Sequence, residues 1–204
     1  MAIPVITISR EYGSGGRLIG RLLAEDLGIP FYDRELITRA AADSGLSPEV
    51  LAAAEDQPPA SLLYSLSAGM GYTGLIGGGI ELPLADQLFL AQFDTIRKVA
   101  EEGPCVIVGR CADYVLRDTP ECVHFFIHAD MPTRIDRVTK EYGEPEKDAE
   151  ARILKADKRR ASYYNHYTTE KWGAAKTYDC SVDSGKLGIG NTVRLLRAYL
   201  DLRG

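Results

Sequence analysis

The opening segment constrains this chain more than any other part of it. Val5-Ile6-Thr7-Ile8 is a short β-branched run of the kind that forms a buried strand. Gly13, Gly15 and Gly16 follow at once, and then Leu18, Ile19, Leu22, Leu23 and Leu27 recur on one helical face. Gly28 stands where a helix ends, and Pro30 prevents its continuation. Strand, glycine loop and helix in that order predict an α/β protein with a parallel sheet. Such a loop is also a ready anion site. Its amides converge, and the helix N-terminus adds about half an elementary positive charge. Glycine is needed wherever a Cβ would hold a phosphate away from the backbone. Similar turns also serve strand–helix packing alone, so the loop points to phosphate only in company with other residues.

The same alternation continues along the chain. Phe31-Tyr32 reads as a second strand ending near Asp33, followed by a helical segment over 34–42. Ser47-Pro48-Glu49 has the form of a helix start. Residues 58–83, with Pro58-Pro59 and Gly77-Gly78-Gly79, read as an irregular connection. Helical spacing returns over 84–102. Cys105 to Val108 is a third strand ending at Gly109-Arg110, and 111–117 a short helix. A fourth strand spans 123–127, and Asp130-Met131-Pro132 caps a helix reaching about Glu141. Residues 144–176 are charged and poor in apolar side chains. A fifth strand follows over 178–182, and a final amphipathic helix over 189–202. Right-handed crossovers then place helices on both faces of a five-stranded parallel sheet.

Composition removes several function classes. A net charge of -5 disfavours a surface that coats nucleic-acid polymers, though a few local arginines can still serve a small anion. No apolar run approaches the roughly 18 residues of a membrane span, and no secretory leader is visible, so a cytoplasmic protein is expected. Cys105, Cys111, Cys122 and Cys180 are widely spaced, and with His124, His128 and His166 they form no zinc pattern. Buried reduced thiols are the expectation.

Five segments carry a more specific signal: ITISREYGSGGRLIG, IPFYDRELITR, VIVGRCADYVL, RRASYYNHYTTEKWG and YDCSVDSGKLGIGNTV. Together they resemble the cytidylate kinase-like branch of the P-loop nucleoside monophosphate kinases. They stand in family order and cover nearly the whole chain except the glycine-rich part of the insert. The resemblance implies one α/β/α kinase domain over 1–204 with a P-loop and a five-stranded parallel sheet of order 2-3-1-4-5. Its core would be 1–33, 104–141 and 177–204, with an acceptor-site insert over 34–103 and a lid over 142–176. It implies a kinase moving the γ-phosphoryl of ATP, with Mg²⁺, to a small acceptor, foremost a pyrimidine nucleoside monophosphate such as CMP. Gly13, Ser14, Gly15, Gly16 and Arg17 would hold the ATP phosphates. Asp33, Arg39, Arg110 and Asp113 would hold the acceptor, and Asp183 and Ser184 the donor base. Arg17, Arg159 and Arg160 would neutralise charge in transit, a task suited to the planar guanidinium fork.

The chain departs from that family in two places. Against G-x-x-x-x-G-K-[ST], Arg10 stands at the first glycine and Gly16 at the lysine. Leu18, or Arg17 in strict spacing, falls where the hydroxyl belongs. Arg17 could restore the lysine charge if the loop is one residue longer. Secondly, Gly109-Arg110-Cys111 replaces the Gly-Arg-Asp of cytidylate kinases, leaving Asp113 two positions away. Two rival readings follow: a non-catalytic nucleotide-binding or regulatory protein, and a kinase of a non-nucleotide acceptor. Plainer readings stand beside the residues as well. Arg39 and the cluster from Lys155 to Arg160 can be solvated helix faces, and Asp136 and Asp157 surface carboxylates. Tyr163, Tyr164 and Tyr167 suit a packing seam as well as a binding platform. The glycine-rich insert reads as a flap or as a contact between copies in a homo-oligomer.

Overall fold

The structure is a computed structural model that describes residues 3–33, 36, 39 and 84–203. The expected helix start at 47–49, the irregular connection over 58–83 and most of the insert lie outside the described residues. The strands are β1 (Ile6–Arg10), β2 (Phe31–Tyr32), β3 (Val106–Val108), β4 (Val123–His128) and β5 (Cys180–Asp183). The helices are α1 (Gly16–Leu27), α2 (Leu84–Glu102), α3 (Ala112–Val115), α4 (Met131–Lys140), α5 (Ala149–Tyr167) and α6 (Ser184–Arg203). All strand pairs are parallel, in the order β2-β3-β1-β4-β5. This is the sheet that the resemblance implied, in a three-layer α/β/α fold.

Strand β1 is the centre of the sheet, with Ile6 aligned to Val106 on one side and to Val123 on the other. Its period of two divides the core. Ile6 and Ile8 are fully buried against Ile19 and Leu23 of α1 and Leu196 of α6. Ile107 of β3 faces the opposite layer, where it meets Leu36, Ile96 and Val99. Thr7 and Ser9 also face away from α1. Thr7 Oγ1 is hydrogen-bonded to His124 Nδ1 at 2.7 Å, which satisfies both polar groups inside the sheet. Cys105, Cys111 and Cys122 are buried, and Cys180 half-buried, as free thiols. Burial raises the thiol pKa of Cys105 and Cys122 to about 12.

The local signals for α1 and α4 have visible causes. Gly28 adopts φ +65 and closes α1 with its N–H on the carbonyls of Ala24 and Glu25. The Asp130 side chain accepts from Thr133 N at 2.9 Å and caps α4. One expectation needs correction. The last helix starts at Ser184, not Ile189, and is interrupted at Gly188 with φ 74 and ψ 166. Asp183 Oδ1 accepts from Gly185 N at 2.9 Å, so a capped first turn forms outside the apolar repeat. The charged segment after Glu144 also holds a long helix, α5, which buries Ala149, Ile153 and Tyr164.

Glycine in the loop is required by two separate constraints. Gly13 has φ +79, and a Cβ there would lie 2.9 Å from the Arg134 carbonyl oxygen. Gly28 has φ +65 with nothing within 4 Å of the corresponding position. Gly28→Ala is expected to cost only the left-handed backbone strain, about 1–2 kcal/mol. Gly13→Ala adds overpacking against a backbone atom, about 1–3 kcal/mol more. Urea unfolding midpoints of the two variants check this order.

Candidate functional site

The site begins with the loop between β1 and α1, whose carbonyls are held by side chains one after another. Arg160 Nη1 donates to Arg10 O at 3.0 Å, and Ser14 Oγ donates to Glu11 O at 2.8 Å. Arg134 Nε donates to Tyr12 O at 2.7 Å, and Arg137 Nη1 to Gly13 O at 3.1 Å. Ser184 Oγ donates to Ser14 O at 2.5 Å. Arg134 and Arg137 are nearly fully buried, at 5% and 6% exposure. Arg134 is compensated by Asp157 and by Glu11, the latter at 3.3 Å. Asp157 also accepts from Tyr12 N at 2.7 Å. It is therefore an inner partner of the loop and not the surface carboxylate expected from the sequence.

A cavity of about 340 Å³ opens over this loop. Gly13, Gly15, Gly16, Arg17 and Arg160 line it, as do Arg10, Arg21 and Tyr142. Burial lowers the pKa of Arg10, and the neighbouring charges of Arg160, Arg110 and Arg17 lower it further, against an opposing effect from Asp33. Burial likewise lowers that of Arg160, against Asp157. Arg110, at the tip of β3 with φ 60, contributes to both effects, which puts it in the same cationic cluster. The arrangement concentrates positive charge around loop amides and a helix N-terminus, which suits a phosphorylated ligand.

The other residues singled out in the sequence fall in different places. Arg17 is two-thirds exposed and paired with Asp33 at 2.5 Å, at the mouth of the cavity. Asp33 also faces Arg10 at 3.9 Å. Ser14 is fully buried with its hydroxyl spent on Glu11 O. Arg39 donates to Tyr32 Oη at 3.1 Å and to Glu102 at 2.8 Å, and does not line the cavity. Arg159 is exposed on α5 and does not line it either. Asp183 accepts from the first amides of α6 and pairs with Lys186. Ser184 is fully buried beneath the loop. Asp113 is buried and turned toward Ser9 and Tyr164. Sequence reasoning missed Arg10, Arg134 and Arg137. Arg10 was visible only as a mismatch to the loop motif, while the apolar spacing of α4 gave no sign that its arginines point inward.

Residues 163 and 167 form a seam. Tyr167 stacks on Phe89 with ring centroids 4.1 Å apart and donates to Asp86 at 2.8 Å. Tyr163 donates to Gln92 Oε1 at 3.1 Å. Helix α5 thus joins α2 to the loop. For magnesium, the residues do not match the usual loop arrangement. Leu18 offers no hydroxyl, and Ser14 is turned away. Among the described residues no group of three His, Cys, Asp or Glu side chains is placed to hold a metal ion. Among them, too, no helix is long and apolar enough to cross a membrane.

A five-stranded parallel sheet with a cationic glycine loop at the end of its central strand defines the P-loop kinase fold. The sequence matches the cytidylate kinase-like family over residues 5–186, and the chain belongs to that family. An uncharacterized protein from Eubacterium ventriosum ATCC 27560 is 32% identical, with a TM-score of 0.73 over 97% of this chain and 98% of that one. A gluconokinase from Sinorhizobium meliloti 1021 is 17% identical, with a TM-score of 0.54 over 98% and 94%. A shikimate kinase from Bacteroides thetaiotaomicron is 15% identical, with a TM-score of 0.53 over 98% and 99%. The last two share the fold. No curated protein matches the sequence.

Asp113 links helix α5 to the sheet and gives a pH-dependent prediction. Burial raises its pKa, and the Tyr164 hydroxyl, donating at 2.6 Å, opposes that rise. Because the folded pKa lies above the ordinary one, the fold loses stability as pH rises through the interval between the two. Tyr164→Phe removes the opposing bond and deepens that loss. On the alkaline side of that interval the variant is expected to be less stable than wild type by about 1.5–3 kcal/mol. The deficit should shrink as pH falls below the folded pKa. Urea titrations at a series of pH values measure it.

Proposed function

We propose that this chain is an ATP-dependent kinase of a small phosphate-bearing acceptor. The observation that carries this reading is the arginine-lined cavity over the glycine loop, at the carboxyl edge of a parallel sheet. Family membership favours a pyrimidine nucleoside monophosphate such as CMP as acceptor, with transfer in the cytoplasm. In this reading the loop amides and Arg17 hold the donor phosphates, and Arg110 holds the acceptor phosphate. Arg160 neutralises charge on the moving phosphoryl group, where positioning and charge provide most of the rate. Arg39 joins the acceptor site only by leaving Glu102. Arg159 has no cavity contact to recommend it. Asp183 acts as the cap of α6, and a donor base would meet that turn. Magnesium would arrive on the nucleotide's own phosphates and waters, as it commonly does.

A second reading concerns the acceptor. Asp113 is spent on Tyr164 and Ser9, and Cys111 occupies the position of the family's nucleotide-holding aspartate. A non-nucleotide acceptor is compatible with both facts. ADP formation measured across CMP, UMP, AMP, shikimate and gluconate separates the alternatives. The expected result is acceptor-dependent ADP release with one of the monophosphates. Arg110→Ala should lower kcat/KM for it by about 10- to 100-fold, the worth of a charge-assisted hydrogen bond. Turnover with a polyol or carboxylate alone would favour the second reading. ATP binding without turnover on any acceptor would leave a non-catalytic nucleotide-binding protein.

A further inference from the structure

We propose that Arg10 supplies the phosphate-binding cation that the usual loop draws from its lysine, and that Gly16 is glycine in order to make room for it. The inference rests on the kinase reading above and adds Arg10 to the loop amides and Arg17 as a group that grips the donor phosphates. In the pattern G-x-x-x-x-G-K, Arg10 holds the first position and Gly16 the seventh. Neither residue fits the pattern alone, but together they are an exchange.

The geometry explains why they exchange as a pair. Gly16 opens α1 and is not among the residues with positive φ, so its backbone does not call for glycine. The side chain of Arg10 does. A Cβ on residue 16 would lie 2.5 Å from Arg10 Cβ and 3.0 Å from Arg10 Cγ. In the usual loop the seventh residue carries a side chain and the first is glycine. Here the first carries the side chain and the seventh is glycine. One of the two positions must be empty in either case, and the cation enters the site from whichever is filled. The far end of Arg10 crosses a second glycine, because a Cβ on Gly109 would meet Arg10 Nη1. The guanidinium is thereby carried over the tip of β3 toward Asp33, 3.9 Å away, in the wall of the cavity. Only 20% of the side chain is exposed. Burial and like charges lower its pKa, so an anion in the cavity relieves a stress built into the empty site. Arg17, outside on the rim and closely paired with Asp33, has less of this character.

The test is a swap, read by calorimetric titration with ATP–Mg²⁺ and with tripolyphosphate, and by thermal melting without ligand. Arg10→Met keeps the buried stem and removes the charge. It should weaken both ligands by about 10- to 100-fold, as loss of a charge-assisted hydrogen bond predicts, while melting near the wild-type temperature. Gly16→Lys alone should melt lower, because its Cβ meets Arg10. Arg10→Gly combined with Gly16→Lys should melt above Gly16→Lys alone and regain most of the lost affinity. With the Arg10 side chain gone, the nearest remaining contact of the new Cβ is the Ile127 Cβ, at 3.3 Å. Wild-type affinity in Arg10→Met, or additive melting shifts in the double variant, would overturn the exchange and leave the kinase reading standing. Failure of the wild-type chain to bind either ligand would overturn both.

Discussion

The interaction on which the rest depends is the capture of the loop carbonyls. From Arg10 to Ser14 each carbonyl oxygen accepts a side-chain hydrogen bond, from Arg160, Ser14, Arg134, Arg137 and Ser184 in turn. A peptide group is a rigid plane, so fixing its oxygen outward fixes the direction of the neighbouring amide. A loop of glycines alone would sample many conformations, and ordering each residue costs about 1–2 kcal/mol of backbone entropy. The donors offset that cost when the chain folds rather than when ligand binds. Three of them are arginines, and Arg134 and Arg137 are buried. The loop is therefore preorganised by charged groups that a chain would bury only where they have partners.

The same arginines explain where negative charge must sit. Asp157 and Glu11 compensate Arg134, and Asp33 compensates Arg17 and, more distantly, Arg10. Arg110 and Arg160 add like charge around Arg10. Two like charges about 5 Å apart at an effective dielectric near 20 repel by on the order of 3 kcal/mol. One carboxylate cannot neutralise such a group, whereas a polyphosphate carries charge enough for several guanidinium forks at once. The chain's overall acidity is no obstacle, because the relevant field is local and focused by low-dielectric walls.

The sheet was legible in the sequence because its signals are local and redundant. Ile6, Ile8, Val106, Val108, Val123 and Phe125 are β-branched or aromatic runs bounded by turn residues, and Gly28 and Asp130 mark helix ends by their own chemistry. The strand order came through the resemblance, since periodicity does not encode which strands are neighbours. The site was legible only in part. The glycines and Arg160 line the cavity, while Arg39, Asp113 and Ser184 are engaged elsewhere. Their roles depend on contacts between residues far apart in the chain, such as Ser9 with Asp113, that no spacing rule reports. Arg134 and Arg137 lie three apart on α4, one face of a helix that looks solvated until the loop is packed against it.

Helix α5 shows how far that packing reaches. Its Asp157 and Arg160 hold the loop, its Tyr164 holds Asp113 behind β1, and its Tyr163 and Tyr167 hold α2. A displacement of α5 would therefore release the Arg10 carbonyl, the Tyr12 amide and Asp113 together. Its buried apolar share is small, limited to Ala149, Ile153 and Tyr164. Most of its attachment is polar, and net polar contacts are worth only about 0.5–1.5 kcal/mol each. Apolar packing is lost only by exposing area to water, but hydrogen bonds and ion pairs can be exchanged for bonds to a ligand. An element held mainly by polar contacts to the glycine loop can therefore answer to what occupies that loop. The order of the site and the position of α5 are then two readings of one set of bonds.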